Sequence, residues 1–381
     1  MLPLFYVISH YSNLPFRAWE QRKFIEIINR LSKTSNSSIL PKVEYEDIIA
    51  EEGRLNKDIS NKFDSRKGIL FQPKNILYGK LRPYLKNWLY PDFKGVAVGD
   101  FWVFEAIEAT PRFIYNLIQS DSYQKVANDT AGTKMPRSDW TKVSNSSFFI
   151  PKESSEQKRI GTFFKQLDDT IALHQRKLDT LKQMKKGLLQ QMFPKSEEDV
   201  PKIRFADFDE EWYQRKLGEE FEKINERNDG SFGKTHWISV AKMYFVEPNK
   251  VLSNNIDTRT YVMRKGDIAF EGHSNTDFKF GRFVANDIGP GIVSELFPVY
   301  RHKTNYDNNY WKNAIQLEHI MAPIYSKSIT SSGNSSNKLD SKHFLNQKIY
   351  IADFEEQEKI GSIFKQLDNT IILYQNKLNK F

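Results

Sequence analysis

The stretch IGTFFKQLDDTIALHQRKL, residues 160–178, recurs almost unchanged as IGSIFKQLDNTIILYQNKL, residues 360–378. In both copies apolar side chains follow one another at alternating steps of four and three residues, which is the pattern of a coiled-coil seam. The seam positions are Ile160, Phe164, Leu167, Ile171, Leu178 and Leu181 in the first copy, and Ile360, Phe364, Leu367, Ile371 and Leu378 in the second. Because one helix cannot bury so narrow a stripe alone, the sequence predicts that the two helices pack on each other within one molecule. A separate partner helix for each copy is the alternative.

Weaker repeats extend the duplication over the rest of the chain. WEQRKF at 19–24 matches WYQRKL at 212–217, and RKGILF at 66–71 matches RKGDIAF at 264–270. Each half also holds β-rich runs followed by a helical pattern and a polar loop. The sequence therefore predicts an α/β (α+β) pseudo-dimer, with two tandem domains separated by two long antiparallel coiled-coil helices. The expected boundaries are 1–155 and 194–355 for the domains, and 156–193 and a shorter 356–381 for the helices.

Composition narrows the class of protein. The 381 residues carry a net charge of +8, with 39% hydrophobic and 27% charged residues, which is typical of a water-soluble globular chain. Excess Lys and Arg favour a polyanionic partner. The sequence contains no cysteine, which excludes disulfides and thiolate metal sites and makes a cytoplasmic location the default expectation. The apolar opening, residues 1–16, is too short to span a membrane and is expected to be a leader strand or a disordered lead-in.

Several segments together resemble one known family. Residues 156–194 followed by PKIRFADFDEEWYQRKLGEEF, 201–221, are similar to the central conserved region and the start of the second domain of type I restriction-modification specificity subunits, the HsdS-like proteins. ILYGKLRPYLKNW, 76–88, and AGTKMPRSDW, 131–140, resemble parts of that family's target recognition domains. The resemblance extends over nearly the whole chain.

The resemblance implies a function in DNA recognition. Each domain would read one half of a bipartite, asymmetric site in double-stranded DNA, without a catalytic centre of its own. The helices would act as a ruler and as a dock for two modification (methyltransferase) subunits and for restriction (motor and endonuclease) subunits. No cofactor is expected on this chain, whereas S-adenosylmethionine, ATP and Mg²⁺ would serve the other subunits. A helix of about 38 residues spans about 57 Å, or about 17 base pairs, which fits the ruler.

Candidate DNA contacts lie in corresponding loops of the two halves. Cations interleaved with aromatic residues suit phosphate contacts, Arg can pair with guanine through two hydrogen bonds, and Asn can pair in the same way with adenine. The residues predicted in the first domain are Lys80, Arg82, Lys86, Thr133, Lys134 and Arg137. Those predicted in the second domain are His273, Asn275, Lys279, Arg282, Ser332, Asn334, Ser335, Asn337 and Lys338. Solvated basic strand faces and plain surface loops are the structural alternatives.

Two other classes of function stay open at this point. The first is an autonomous metal-dependent nuclease that uses Asp267, Asp277 and Lys279, the best acidic pairing that the sequence offers. The second is a purely structural coiled-coil scaffold. The sequence lacks the glycine-rich cofactor loop and the Asn/Asp-Pro-Pro-Tyr element of adenine methyltransferases, and its seven histidines show no metal-ligand spacing.

Overall fold

The computed structural model describes residues 19–130, 134–195, 198–252, 256, 259–332 and 336–380. The chain divides into two compact units, Met1–Thr170 and Ile171–Phe381. They are called the first and the second unit below.

The first unit is built on two four-stranded sheets. Its strands are β1 Trp19–Lys23, β2 Ile28–Leu31, β3 Thr34–Ser35, β4 Lys42–Val43, β5 Ile48–Ile49, β6 Arg54–Leu55, β7 Gly68–Phe71, β8 Ile76–Gly79, β9 Trp88–Leu89, β10 Gly95–Ala97, β11 Phe101–Ala106 and β12 Ser147–Pro151. Its helices are α1 Phe24–Ile27, α2 Pro111–Gln119, α3 Asp121–Ala127, α4 Trp140–Asn145 and the beginning of α5 Ser154–Gln191, with 3₁₀ turns at Tyr45–Asp47 and Pro83–Leu85. The strand orders are β2-β11-β8-β9 and β3-β7-β10-β4, and β1 pairs with β12.

The second unit repeats this plan. Its strands are β13 Tyr213–Lys216, β14 Phe221–Ile224, β15 Ile238–Ser239, β16 Tyr244–Phe245, β17 Thr260–Met263, β18 Ile268–Glu271, β19 Arg282–Ala285, β20 Gly291–Ser294, β21 Val299–His302, β22 Ile329–Ser332, β23 Asn337–Leu339 and β24 Lys348–Ile351. Its helices are α6 Leu217–Glu220, α7 Asn308–Ala314, α8 Glu318–Ser328, α9 Ser341–Leu345 and α10 Phe354–Leu378, with 3₁₀ turns at Lys234–His236 and Pro248–Lys250.

The internal repeat of the sequence is also found in the order of strands in the sheets. The order β14-β21-β18-β19 reproduces β2-β11-β8-β9 strand for strand, and both sheets are antiparallel throughout. The ribbon of β13 and β24 corresponds to that of β1 and β12, and the pair β17-β20 to β7-β10. Both faces of β8 are covered, because Ile76 and Tyr78 pack with residues of the helices and Leu77 packs with residues of β4, β7 and β10. The central strands β8 and β18 are buried along their whole length.

In the second unit the last part of α5 packs antiparallel on α10. His174 meets Tyr374 edge to face with ring centroids 5.6 Å apart, and Lys185 donates to Asp368 at 2.6 Å, so that moving forward along α5 means moving back along α10. Leu178 and Leu181 are buried. The other predicted seam residues of this unit are buried or half-buried: Ile171, Ile360, Phe364, Leu367, Ile371 and Leu378.

The seam prediction is wrong for Phe164, in the part of α5 that belongs to the first unit. Ile160 packs against the core of that unit and Leu167 is half-buried, but 42% of the Phe164 side chain is exposed. The heptad spacing identifies the apolar stripe correctly, but it does not say what covers the stripe.

In each unit a tryptophan at or just before the first strand is hydrogen-bonded to a glutamate in the first turn of a long helix. The indole of Trp19 donates to Glu156 at 3.1 Å, and that of Trp212 donates to Glu356 at 3.0 Å. The two sites differ in burial, because 47% of Trp19 but only 3% of Trp212 is exposed. Glu356 is fully buried and also accepts two hydrogen bonds of 2.8 Å from the guanidinium of Arg204.

The part of the chain that the structure describes contains no helix with both the length and the apolar character needed to cross a bilayer.

Glu356→Ala is expected to lower the free energy of unfolding by about 3–5 kcal/mol, because it leaves the Arg204 guanidinium buried without its counter-charge. The matched change Glu156→Ala removes a single half-exposed hydrogen bond and should cost about 1 kcal/mol. Urea denaturation followed by tryptophan fluorescence measures both. Equal losses in the two variants would contradict the assignment of a buried ion pair to the second unit alone.

Candidate nucleic-acid interface

The loop that follows β8 presents cations from a constrained backbone. Arg82 and Lys86 adopt left-handed conformations, with φ of +49° and +53°, on either side of the 3₁₀ turn Pro83–Leu85. A side chain in this region costs about 1 kcal/mol or more, and such residues cluster at functional sites. Arg82 is exposed beside Tyr84, and among the described residues it has no ion-pair partner. Lys86 is paired with Glu51 at 3.1 Å.

The second predicted loop of the first unit lies directly against this one. Leu81 and Arg137 form an antiparallel bridge, the Arg82 amide donates to Pro136 O at 2.7 Å, and the Ser138 amide donates to Lys80 O at 2.9 Å. Asp139 then ends the loop by capping α4. The two adjoining loops therefore carry four cations, the half-buried Lys80 and the exposed Arg82, Lys134 and Arg137.

Two residues that the sequence interpretation missed hold this surface in place. Asp100, in the turn before β11, pairs with Lys80 at 3.6 Å and with Arg137 at 3.1 Å. The hydroxyl of Tyr45 donates to Asp100 O and accepts from the Leu81 amide at 3.1 Å. Burial raises the pKa of Tyr45, which keeps this bridging hydroxyl protonated. No local pattern marks either residue, because the turn and the loop meet only through the pairing of β8 with β11.

The second unit brings its two predicted loops together at the corresponding place. The Asn337 amide donates to Gly272 O at 2.9 Å, next to the end of β18. A Cβ on Gly272 would lie 2.3 Å from Asn337 O, so this contact requires glycine. Asp340 caps α9 by accepting from the His343 amide at 2.8 Å, as Asp139 caps α4.

The side chains on this second surface differ from those on the first. His273 is exposed, and both its amide and its ring contact the carboxylate of the buried Glu271. Lys279 and Lys338 are exposed. The Arg282 guanidinium stacks on Phe278 at 4.8 Å and donates to Ala241 O, so part of its hydrogen-bonding capacity is used within the unit.

Asn275 also has a structural role. Its side-chain oxygen accepts from the Asp277 and Phe278 backbone amides, both at 2.9 Å, which closes a turn. Its side-chain nitrogen donates to no group among the described residues. Three predicted contacts, Thr133, Asn334 and Ser335, lie outside the described residues. Ser332 ends β22, but its side chain also lies outside the description.

The geometry does not assemble the nuclease site that the sequence left open. Asp267 is buried and accepts two hydrogen bonds of 2.8 Å from Arg301, which makes it a structural ion pair. Asp267 precedes β18, and Asp277 lies beyond its end in a turn closed by Asn275. Within the described ranges, no three His, Asp or Glu side chains gather as metal ligands would.

A family model of the type I restriction modification DNA specificity domain matches residues 18–183. This part of the chain is therefore similar to a DNA specificity domain. The match agrees with the resemblance found in the sequence for these residues. The comparison with curated proteins gave no match.

Two solved structures show the same fold over nearly the whole chain. The type I restriction-modification S subunit from M. genitalium is 14% identical, with a TM-score of 0.57 over 96% of this chain and 94% of that one. A chain from a study of complex assembly and conformational transition of the type I R-M system is 17% identical, with a TM-score of 0.53 over 96% and 94%. The HsdS subunit from Thermoanaerobacter tengcongensis is 18% identical, with a TM-score of 0.49 over 97% and 94%. The predicted mixed fold with its duplicated plan is confirmed.

Asp100→Asn should raise the affinity of the chain for non-specific duplex DNA by about fivefold at low salt, because it releases Lys80 and Arg137 from a nearby carboxylate, an effect of about 1 kcal/mol. Fluorescence anisotropy with a labelled random duplex measures this. The effect should shrink as salt is added. An unchanged or lower affinity would mean that these two cations do not face DNA.

Proposed function

We propose that this chain is the DNA sequence-specificity subunit of a type I restriction-modification complex, and that it binds a bipartite, asymmetric target with one half-site for each unit. The observation that carries the proposal is the pair of adjoining loops at the same place in both units, which joins Lys80 to Ser138 in one and Gly272 to Asn337 in the other. The matched specificity domain covers the first of these loop pairs. The repeated topology supports the same role for the second.

The different chemistry of the two surfaces supports an asymmetric target. The first offers guanidinium and ammonium groups, which suit guanine edges and phosphates. The second offers His273 beside the Glu271 carboxylate, the side-chain nitrogen of Asn275, and Lys338, which suit a different set of base edges. An identical frame with unlike side chains is what two different half-sites require.

The long helices are the part of the chain proposed to dock the modification and restriction subunits. Both keep exposed apolar residues away from the seam, among them Leu173 on α5 and Ile372 and Leu373 on α10. Such residues on an otherwise charged helix favour a protein partner. S-adenosylmethionine, ATP and Mg²⁺ would be bound by those other subunits.

The function is tested by co-expressing the chain with its cognate modification subunit in a host without DNA methylation and mapping methylated adenines. The expected result is one bipartite, asymmetric motif with a fixed gap. Methylation that is absent, or that follows a single uninterrupted motif, would contradict the proposal. Lengthening α5 by one heptad should widen the gap between the half-sites, if the helix serves as the ruler.

Arg82→Gly should weaken specific DNA binding by at least about tenfold while leaving stability unchanged or slightly higher, because glycine adopts the left-handed conformation without strain. Arg82→Ala would keep the backbone strain while it removes the guanidinium, so a loss of stability and a loss of DNA contacts could not be separated. Anisotropy titrations against the mapped site, with thermal melts of each variant, separate them.

Lys74→Gly is the matched control for this change. Lys74 is also an exposed cation with a positive φ, of +70°, but it precedes β8, whereas Arg82 follows it. Its loss should leave specific binding almost unchanged. Equal weakening by both substitutions would mean that net charge, and not the loop surface, determines affinity.

A further inference from the structure

A groove in the second unit lies between one face of α8 and the strand β24, and it has a volume of about 430 Å³. Four residues on a single face of the helix line one side of it: Ile320, Pro323, Ile324 and Lys327. Three consecutive residues of β24 line the other side: Lys348, Ile349 and Tyr350. Because successive side chains of a strand point to opposite faces, a cavity that contacts three residues in a row lies along the edge of the strand.

The edge of β24 beside this groove has backbone groups without partners. Among the described residues, β24 pairs with β13 alone, and the ladder continues in the bond from the Leu217 amide to Gln347 O at 2.9 Å. Bonded and non-bonded pairs alternate along an antiparallel ladder, so the amides and carbonyls of Lys348 and Tyr350 point away from β13. No described residue forms a hydrogen bond with these four groups.

The same edge is closed just beyond the groove. The Ala352 amide donates to the Tyr310 hydroxyl at 3.4 Å, and Ala352 O accepts from the side chain of Gln357 at 2.9 Å. Side chains of the second unit therefore satisfy the edge at Ala352, whereas the edge at Lys348 and Tyr350 stays open. An open strand edge is a template on which another extended segment can pair.

The groove combines positive charge with an apolar floor. Three exposed lysines line it, Lys195, Lys327 and Lys348, and no Asp or Glu of the described residues does. None of the three forms an ion pair within the described ranges, and Lys348 donates only to the neutral side chain of Gln214, at 3.2 Å. Ammonium groups gathered around one cavity without a counter-charge attract an anionic ligand.

The floor of the groove consists of three buried isoleucines, each at most 7% exposed: Ile320, Ile324 and Ile349. Apolar side chains on the ligand would pack on this floor while acidic ones face the lysines. The strand β24 itself alternates in this way, with Lys348 and Tyr350 on one face and the buried Ile349 on the other.

We propose that this groove binds an acidic, extended segment of a partner protein, which adds to the free edge of β24 as a third strand of the β13-β24 sheet. The backbone of the segment pairs with that of Lys348 and Tyr350. Its acidic side chains face the three lysines, and its alternate apolar side chains pack on the isoleucine floor.

A peptide fits this edge better than the backbone of a nucleic acid does. Phosphate oxygens accept hydrogen bonds but donate none, so a phosphate chain would leave the carbonyls of Lys348 and Tyr350 without donors. Each peptide residue offers one donor and one acceptor, which satisfies both kinds of group. The isoleucine floor likewise favours a ligand with apolar side chains over a chain of phosphates.

The probe for this site is a labelled peptide of alternating glutamate and valine, EVEVEV, with both termini blocked. Fluorescence anisotropy should show that it binds saturably to the full chain. The same peptide with a methyl group on every backbone nitrogen should bind at least about tenfold more weakly, because it cannot donate to the strand edge. The peptide EEEVVV keeps the charge and composition but should also bind more weakly, because its acidic and apolar side chains no longer lie on opposite faces.

A charge exchange in the chain locates the bound peptide. Lys327→Glu combined with Lys348→Glu should weaken the binding of EVEVEV at least about tenfold and should allow the lysine peptide KVKVKV to bind instead. Lys223→Glu combined with Lys342→Glu is the matched control, because both lysines are exposed on the second unit and neither lines the groove. Thermal melts establish that each variant is folded, and the comparison between peptides needs no variant. The mixtures contain no DNA, so the result is independent of the proposed recognition function.

Four outcomes would overturn the inference. Absence of saturable binding by EVEVEV is the first, and equal binding of the methylated peptide, which would mean that charge alone attracts the ligand, is the second. The third is displacement of the peptide by an equal concentration of inorganic triphosphate, which would assign the groove to a phosphate ligand. The fourth is self-association of the chain that Lys327→Glu with Lys348→Glu abolishes in analytical ultracentrifugation, which would assign the groove to a second copy.

Discussion

The second unit depends on the burial of one side chain, Phe193. Its ring lies among aromatic residues from just before β13, from α7 and from α10, so three segments far apart in sequence meet at a single residue. Removing such a ring from a packed core typically costs about 3–5 kcal/mol. The ion pair of Arg204 with Glu356 lies next to this cluster and joins the segment after α5 to the start of α10. Packing and charge therefore fix the same junction.

The repeated frame leaves the loops free to differ. In both units an antiparallel sheet of the same strand order ends in two loops, and an aspartate that caps a short helix fixes the end of the second loop. The frame determines where the loops lie, and the side chains on them determine what they bind. Position and specificity can therefore change independently, because a substitution at Arg82 or Lys338 alters no core contact.

The duplication in the sequence was enough to predict the duplicated mixed fold and the correspondence between loops of the two halves. It did not predict the exposure of Phe164, because a heptad pattern locates an apolar stripe without identifying its cover. It did not separate the two possible roles of Asn275, since a side chain that closes a turn and one that reads a base have the same amide chemistry. The role of Asp100 could not be predicted from the sequence, because its contacts with Lys80 and Arg137 form only when strands distant in sequence pair. Which predicted cations contact DNA remains a prediction.

Both loop surfaces place a carboxylate beside their cationic or imidazole groups, and this affects how they would discriminate among DNA sites. Asp100 holds Lys80 and Arg137, and Glu271 holds His273. Each carboxylate lowers the general attraction for phosphate, which is the term that makes binding insensitive to sequence. Each also restricts the direction in which its partner can donate a hydrogen bond, and base edges accept only from particular directions. In the proposed function, the carboxylates therefore lower the affinity for any DNA but increase the difference in affinity between the target site and other sites. The reason is that the hydrogen bonds that remain depend on which base is present.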